Sequence, residues 1–189
     1  MDATILSFDP GLSFSGWTYS KADDSTFTIL DFGMLTPNKS VGHKEYREQV
    51  GTYGVRVVTL CLLRDMVREL MNRFRPMYVV SEAAFFNPGR PGAYEALVHW
   101  IMTVSFVLRD DYAMRLYTVP PTLAKKTVSG TGKSGKVDVA SAVLSNPEIH
   151  FENKPALEEL TEHEGDSMAI GYSLWKLYLN PTKPKGNRT

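Results

Sequence analysis

Acidic residues occur at three places where an apolar segment of the sequence begins or ends. Asp9 and Glu82 each close a short apolar run, and His163 and Asp166 open an apolar helical segment. If the two runs are neighbouring strands, several carboxylates and a histidine meet at one point. Carboxylates packed so closely are costly unless a cation offsets their charge, and hard oxygen ligands suit Mg²⁺ or Mn²⁺. The pattern predicts a metal-dependent site that cuts phosphodiesters.

The elements that must position these residues follow the order β-β-β-α-β-α-β-α-α. Apolar and β-branched runs predict strands over 4–8, 15–19, 26–32, 77–80 and 115–119. Helical spacing predicts a long helix over 45–74, with helices or helical turns over 94–108, 123–128, 137–144 and 166–178. Segments 37–44 and 146–155 are expected to be a loop and irregular, respectively.

The strand over 77–80 is apolar throughout, which is typical of a parallel strand buried on both faces. A right-handed crossover from the first three strands places it beside the first strand. Asp9 and Glu82 are then expected at the same end of one mixed α/β sheet.

Length and composition predict one globular domain over 1–180, with a flexible basic tail over 181–189. The chain has 189 residues, of which 43% are hydrophobic and 22% are charged. The single cysteine, Cys61, excludes an internal disulfide, and its apolar surroundings predict a buried structural thiol. Since no signal peptide or membrane span is evident, we expect a cytoplasmic protein without a membrane partner.

The formal net charge is zero, but the charges are segregated along the chain. Segments 112–137 and 176–189 carry basic residues and no acid, whereas the segment between them is acidic from Glu148 to Asp166. A basic surface beside an acidic metal pocket suits a polyanion that is held and cut. A solvated surface with random clustering is the alternative, above all for the tail.

Each motif alone has an ordinary structural explanation. Asp9-Pro-Gly can be a simple turn, and His163 with Asp166 can be a helix N-cap. The glycine-rich segment 129–134 is not a P-loop, because Thr127 stands where that motif needs its first glycine. We therefore expect no nucleotide cofactor. Phe85 can be a core residue or an exposed aromatic that stacks on an unpaired base.

Taken together, the segments resemble the RuvC-type Holliday junction resolvases of the RNase H-like superfamily. The matching stretches are 5–11 with 15–17, 79–85, 119–136 and 163–171, in the same order and spacing over nearly the whole chain. The most specific part is the Val-x-Gly-Thr-Gly-x-x-x-Lys run that ends at Lys136. The acidic insertion over 146–162 and the divergent long helix look like the phage-encoded relatives.

The resemblance implies an RNase H-like fold and a set of site residues. The catalytic residues would be Asp9, Glu82, His163, Asp166 and Lys136, and the first four of these would also hold the metal. The DNA-binding residues would be Phe85, Lys125, Lys126, Lys133 and Lys136. Many relatives have Asp where His163 stands; the imidazole could be a neutral ligand or a proton shuttle. Whether Glu164 assists is left open.

The resemblance further implies a homodimeric, Mg²⁺-dependent endonuclease of DNA recombination and repair that cuts four-way junctions. Two ions per site, with Mn²⁺ able to substitute, would leave 5′-phosphate and 3′-hydroxyl ends. The dimer face could be formed by Leu62, Leu63, Met66 and Leu70, although these residues could equally belong to the core.

Three alternative functions remain. The protein could be a broader debranching nuclease for forks, flaps and three-way junctions, or an RNase H-like DNA-binding module without activity. It could also be an actin-like ATPase, for which the chain is too short.

Overall fold

The structure, a computed structural model, describes residues 2–86, 88–89, 91–130 and 136–180, and of residues 136–138 only the backbone. The strands are β1 Ala3–Asp9, β2 Ser15–Ala22, β3 Phe27–Leu35, β4 Tyr78–Glu82, β5 Leu116–Val119 and β6 Ile149–Phe151. The α-helices are α1 Pro37–Val41, α2 Arg47–Tyr53, α3 Val55–Phe74, α4 Pro91–Tyr112, α5 Pro121–Ser129, α6 Lys136–Ser145 and α7 Glu162–Leu174. Single 3₁₀ turns at Lys44–Tyr46 and Leu157–Glu159 and a π-helical turn at Trp175–Leu179 complete the described elements.

The described strands form one mixed sheet in the order β5-β4-β1-β2-β3-β6. Strands β1, β2 and β3 are antiparallel neighbours, whereas β4 lies parallel to β1 and β5 lies parallel to β4. This arrangement confirms the predicted mixed sheet and the predicted position of β4 beside β1.

Helices cover both faces of the sheet, and a separate apolar cluster fills each interface. Residues of α5, α6 and α7 pack on one face around Ile5 and Val80. Residues of α3 and α4 pack on the other face around Leu6, Phe8 and Val79. Because successive strand residues point to opposite faces, the nearly continuous apolar sequence of β1 supplies both clusters.

The region between β3 and β4 differs from the prediction of one helix after a loop. Segment 37–44 begins with the short helix α1, and the long helix is divided at Gly54, whose φ of 82° lies in the left-handed region. Glycine adopts that conformation without the penalty that a Cβ brings. Helix α3 then ends at Phe74, two residues before Pro76, as predicted.

Two further sequence interpretations are wrong. The segment expected to be irregular contains β6, which pairs with β3 through only three residues and is too short to show a pattern. Cys61 is half-buried rather than buried. Leu63 and Leu70 lie in the apolar cluster of α3 and α4, and Met66 packs against it. Leu62 is also buried, so core packing accounts for these side chains.

Two segments remain outside the comparison of prediction and structure. The expected tail over 181–189 and most of the glycine-rich segment, 131–135, lie outside the described residues. None of the helices within the described ranges is long and apolar enough to cross a membrane.

Candidate active site

Asp9 and Glu82 occupy the ends of neighbouring parallel strands. Phe8 of β1 pairs with Ser81 of β4, so the next residue on each strand is the acid. Neighbouring strands lie about 4.8 Å apart. The two carboxylates therefore meet at the carboxyl-terminal edge of the sheet, as predicted.

Both acids belong to the face that α7 covers. Ile5 and Val80 pack in the cluster that contains residues of α7, and side chains an even number of positions apart on a strand share a face. Asp9 lies four positions after Ile5, and Glu82 lies two positions after Val80. The chain thus directs both carboxylates towards the helix that carries His163 and Asp166.

Helix α7 begins at Glu162, four residues earlier than predicted, because Thr161 caps it. The Thr161 hydroxyl accepts a hydrogen bond from the Glu164 amide at 3.2 Å, and the Glu164 carboxylate accepts one from the Thr161 amide at 2.9 Å. This reciprocal capping box has a sequence signature, Thr-x-x-Glu, that could have located the start. It also occupies the Glu164 carboxylate in the cap, while His163 and Asp166, three positions apart, lie on one side of the first turns.

The first turn of α7 lies against β2 at a glycine. Gly16 is the partner of Asp9 in the β1–β2 pair. A Cβ at Gly16 would be 1.9 Å from the backbone oxygen of His163 and 2.8 Å from the amide of Glu164. Only a residue without a side chain permits this approach, which brings the imidazole to Asp9.

His163 and Asp9 are in direct contact. The Nδ1 atom of His163 lies 2.5 Å from Oδ2 of Asp9, and the Asp9 side chain is largely buried. The hydrogen bond to Asp9 raises the pKa of His163. Burial raises the pKa of Asp9, although the contact with His163 acts in the opposite direction. In this geometry Nδ1 faces a carboxylate, so the imidazole can carry a proton there while its Nε2 stays available as a ligand.

The other two acids of the site, Glu82 and Asp166, have raised pKa values. Burial raises the pKa of Glu82 to about 8, with further increases from the charges of Asp9 and Asp166. Burial and the charge of Asp9 raise the pKa of Asp166 to about 6. Lys125 lowers the pKa of all three acids, which places its positive charge near the group. These three oxygen donors and one cation form an environment that favours a further positive charge.

The carboxylates of Asp9, Glu82 and Asp166 are chemically suited to hold a divalent cation. Carboxylate oxygens are the ligands that Mg²⁺ and Mn²⁺ prefer. Burial and neighbouring negative charge raise the pKa values of Glu82 and Asp166, and a nearby cation would lower them. Within the described ranges, however, no group of three acidic, histidine or cysteine side chains is converged as a ready-made ion site. An ion at this position could take Oδ1 of Asp9, because the contact with His163 uses only Oδ2.

The predicted DNA-binding residues have different outcomes. Phe85 is 48% exposed, which excludes the core alternative and leaves its ring available for stacking. Lys125 lies half-buried on α5 towards the acids, whereas Lys126 is exposed beside it. Lys133 lies outside the described residues, and Lys136 begins α6 with a side chain that is not described.

Two contacts at the site had no clear signal in the sequence. The ring of Phe14 stacks on the imidazole of His163, with centroids 6.3 Å apart and planes 18° apart. The indole Nε1 of Trp100 donates a 2.8 Å hydrogen bond to Oγ of Ser15, which also donates to the carbonyl of Gly11 at 2.8 Å. Both contacts join residues that are distant in sequence or lie in a turn, and only the fold brings them together.

Comparison with known proteins finds similar sequences over most of the chain. No protein-family model matches the chain. It is 24% identical over 148 residues to the crossover junction endodeoxyribonuclease RuvC of Ruminiclostridium cellulolyticum, covering 77% of this chain and 80% of that one. It is 25% identical over 166 residues to the RuvC of Prochlorococcus marinus strain MIT 9312, covering 88% and 92%.

Solved structures show the same architecture. Thermus thermophilus RuvC in complex with a Holliday junction substrate superposes with a TM-score of 0.69 at 18% identity, covering 94% of this chain and 95% of that one. The yeast mitochondrial Holliday junction resolvase Ydc2 has a TM-score of 0.59 at 18% identity, covering 91% and 78%. In sequence and in fold, the chain is a relative of the RuvC-type Holliday junction resolvases, as its motifs predict.

Proposed function

We propose that the protein is a metal-dependent endonuclease that resolves four-way DNA junctions. The observation that carries this proposal is the group of Asp9, Glu82 and Asp166 at one edge of the sheet, where burial and then mutual repulsion raise the pKa values of Glu82 and Asp166. Relatives named for crossover junction cleavage match most of the chain, which supports the choice of substrate.

Asp9, Glu82 and Asp166, with His163 beside them, are the residues that would hold the metal. We propose Mg²⁺, with Mn²⁺ able to substitute, and two ions per site. When bound, such ions would supply Lewis-acid polarisation of the phosphodiester and an activated water. The expected ends are 5′-phosphate and 3′-hydroxyl.

The chain's own residues would bind and orient the substrate around this centre. Lys125 lies near enough to lower the pKa of the acids, so its ammonium can also offset charge that develops on the phosphoryl group. His163 can hold a proton at Nδ1 against Asp9 and release it when Asp9 takes another partner. Phe85, with an exposed ring, would stack on an unpaired base at the branch.

We also propose a homodimer, because two like sites would match the two-fold symmetry of a four-way junction. The outer surfaces of α3 and α4 present Val57 and Phe106, each 47% exposed, on the side opposite the core residues Leu63 and Leu70. Sedimentation equilibrium of the wild type and of Phe106→Asp tests this surface. A dimer in both proteins, or a monomer in both with and without junction DNA, would contradict it.

The test of function is cleavage of an end-labelled immobile four-way junction with Mg²⁺, beside a linear duplex and a three-way fork. Glu82→Gln should abolish paired symmetric nicks, while Glu158→Gln, which changes an exposed acid, should cut like the wild type. Equal cutting of fork and junction would change the assignment to a general debranching enzyme. No cutting of any substrate with Mg²⁺ or Mn²⁺ would leave a DNA-binding module.

A further inference from the structure

The end of β3 lies at the same edge of the sheet as the acids. Strands β1 and β3 both run antiparallel to β2, and near this edge Asp9 pairs with Gly16 and Leu35 pairs with Ser15. The chain therefore leaves β3 and enters α1 beside the candidate active site, two strands away from Asp9.

Helix α1 is attached to the turn that follows Asp9. The side-chain amide of Asn38 donates a 2.8 Å hydrogen bond to Oγ of Ser13, and its carbonyl accepts a 2.9 Å bond from the hydroxyl of Thr59 on α3. Pro37 is buried. Although α1 has only five residues, these contacts hold it against both the turn and the long helix.

Lys39 is the cation that this attachment brings to the rim of the site. Its Nζ lies 5.1 Å from the ring centroid of Phe14, and that ring stacks on the imidazole of His163. Lys39 is exposed and forms no ion pair with any residue in the described ranges. An aromatic face beneath an ammonium group orients the group without neutralising it.

The acids thus have a lysine on each side along the sheet edge. Lys125 follows β5 on one side of β1, and Lys39 follows β3 on the other side. Two strand spacings separate β1 from β3, which is about 10 Å. Since the phosphates of one DNA strand follow one another at about 3.4 Å along the helix axis, a strand whose phosphate lies at the acids places another phosphate within reach of Lys39.

We propose that Lys39 binds a backbone phosphate of the cleaved strand, close to the phosphate at the acidic pocket, with Phe14 as its positioning residue. The proposal deepens the proposed function, because it takes junction DNA as the ligand. Phosphate contacts position a nucleic acid without reading its sequence. Lys39 would accordingly set the position of the strand across the acids.

The test measures binding of the wild type, Lys39→Gln and Lys39→Arg to a four-way junction at several salt concentrations without divalent cation. Loss of one phosphate contact should weaken binding and reduce the slope of log affinity against log salt by about 0.9; Lys39→Arg should restore the slope. Lys21→Gln is the matched control, because Lys21 is also exposed but pairs with Asp2 at the opposite end of the sheet.

A second measurement locates the phosphate. Single methylphosphonates, which remove one backbone charge, are placed along the cleaved strand, and the position at which Lys39→Gln no longer weakens binding identifies the partner. Phe14→Ala should reduce the salt slope like Lys39→Gln, add nothing in the double variant and be rescued by Phe14→Tyr.

The outcomes separate this proposal from the proposed function. An unchanged slope in Lys39→Gln, or no methylphosphonate position that removes its effect, would overturn the assignment of Lys39 even in a protein that cuts junctions. Binding of the junction with the expected Lys39 effect but without cleavage would overturn only the nuclease function. No binding of junction DNA by the wild type would overturn both.

Discussion

Oδ2 of Asp9 lies 2.5 Å from Nδ1 of His163, so the acid at the centre of the site is in contact with an imidazole. The contact raises the pKa of His163 and partly compensates the burial of Asp9. A cation bound by Asp9 would lie close to this imidazole and would disfavour its protonated form. Metal binding and the proton on His163 are therefore expected to compete.

Divalent cations should stabilise the protein, and more strongly at higher pH. Ligands must be deprotonated to bind metal, and the acids here have pKa values of about 8 for Glu82 and about 6 for Asp166. At 100 times its dissociation constant, a ligand of the folded state adds about 2.7 kcal/mol. Thermal unfolding with Mg²⁺ or Mn²⁺ at pH 6 and pH 8 measures the effect, and a chelator should reverse it.

Glu82→Gln is the variant that tests whether this stabilisation comes from the site. The rise in Tm on adding metal should be much smaller in this variant and unchanged in Glu158→Gln. An equal rise in Glu82→Gln and the wild type would place the ions elsewhere.

Without metal, Glu82→Gln should be more stable than the wild type at alkaline pH. Glu82 has an ordinary pKa of 4.5 and a folded-state pKa of about 8, so between these values the folded protein binds more protons than the unfolded one. Stability then falls as pH rises through this window. Because one pKa unit corresponds to about 1.4 kcal/mol, the variant should gain at least about 1 kcal/mol at pH 9, or roughly 2–4 °C.

Thermal unfolding from pH 5 to pH 9 measures this difference. Near pH 5, where the Glu82 carboxyl is protonated, the two proteins should unfold at similar temperatures. Parallel curves across the whole range would show that Glu82 is not a protonated, destabilised acid.

The parts of the site that could be predicted from sequence are those that depend on strand ends. Asp9 and Glu82 each follow an apolar run, and one crossover rule places the two runs side by side. The start of α7 could also have been predicted, since Thr161 and Glu164 carry the capping-box signature.

Contacts that depend on tertiary approach could not be predicted. The stacking of Phe14 on His163 requires α7 to lie against β2, which in turn requires the absence of a Cβ at Gly16. Helix α1 is a single short turn with proline at its first position, and three residues of β6 contain no period to detect. In these segments the neighbours, rather than the local pattern, determine the structure.

Gly16→Ala should damage both stability and cleavage. The new Cβ would lie 1.9 Å from the backbone oxygen of His163, so α7 must shift away from Asp9, and overpacking of this kind costs about 1–3 kcal/mol. Gly51→Ala is the matched control, because Gly51 lies in helix α2 and a Cβ at this position would meet nothing within 4 Å. This substitution should leave stability unchanged or raise it slightly. Chemical denaturation and junction cleavage measure both effects. Cleavage by Gly16→Ala at the wild-type rate would show that the position of α7 is not critical.

Trp100→Phe should slow cleavage without weakening DNA binding. Oγ of Ser15 accepts hydrogen bonds from Nε1 of Trp100 at 2.8 Å and from the Gly11 amide at 3.0 Å, and these bonds hold the turn that follows Asp9. Phenylalanine keeps an aromatic ring beside Phe8 but has no donor for Ser15. Since small displacements of reacting groups can lower rates by up to about 10²-fold, we expect a loss of about 10-fold in kcat and an unchanged KM.

Trp175→Phe separates this positioning effect from simple loss of stability. Trp175 is also buried, and its Nε1 donates a 2.8 Å hydrogen bond to the carbonyl of Asp23 at the opposite edge of the sheet. Each variant should lose about 0.5–1.5 kcal/mol of stability, because each removes the donor of one hydrogen bond. Only Trp100→Phe should lose kcat in single-turnover cleavage of the junction. Equal losses of kcat in the two variants would mean that the Trp100–Ser15 bond acts on the fold as a whole and not on the position of Asp9.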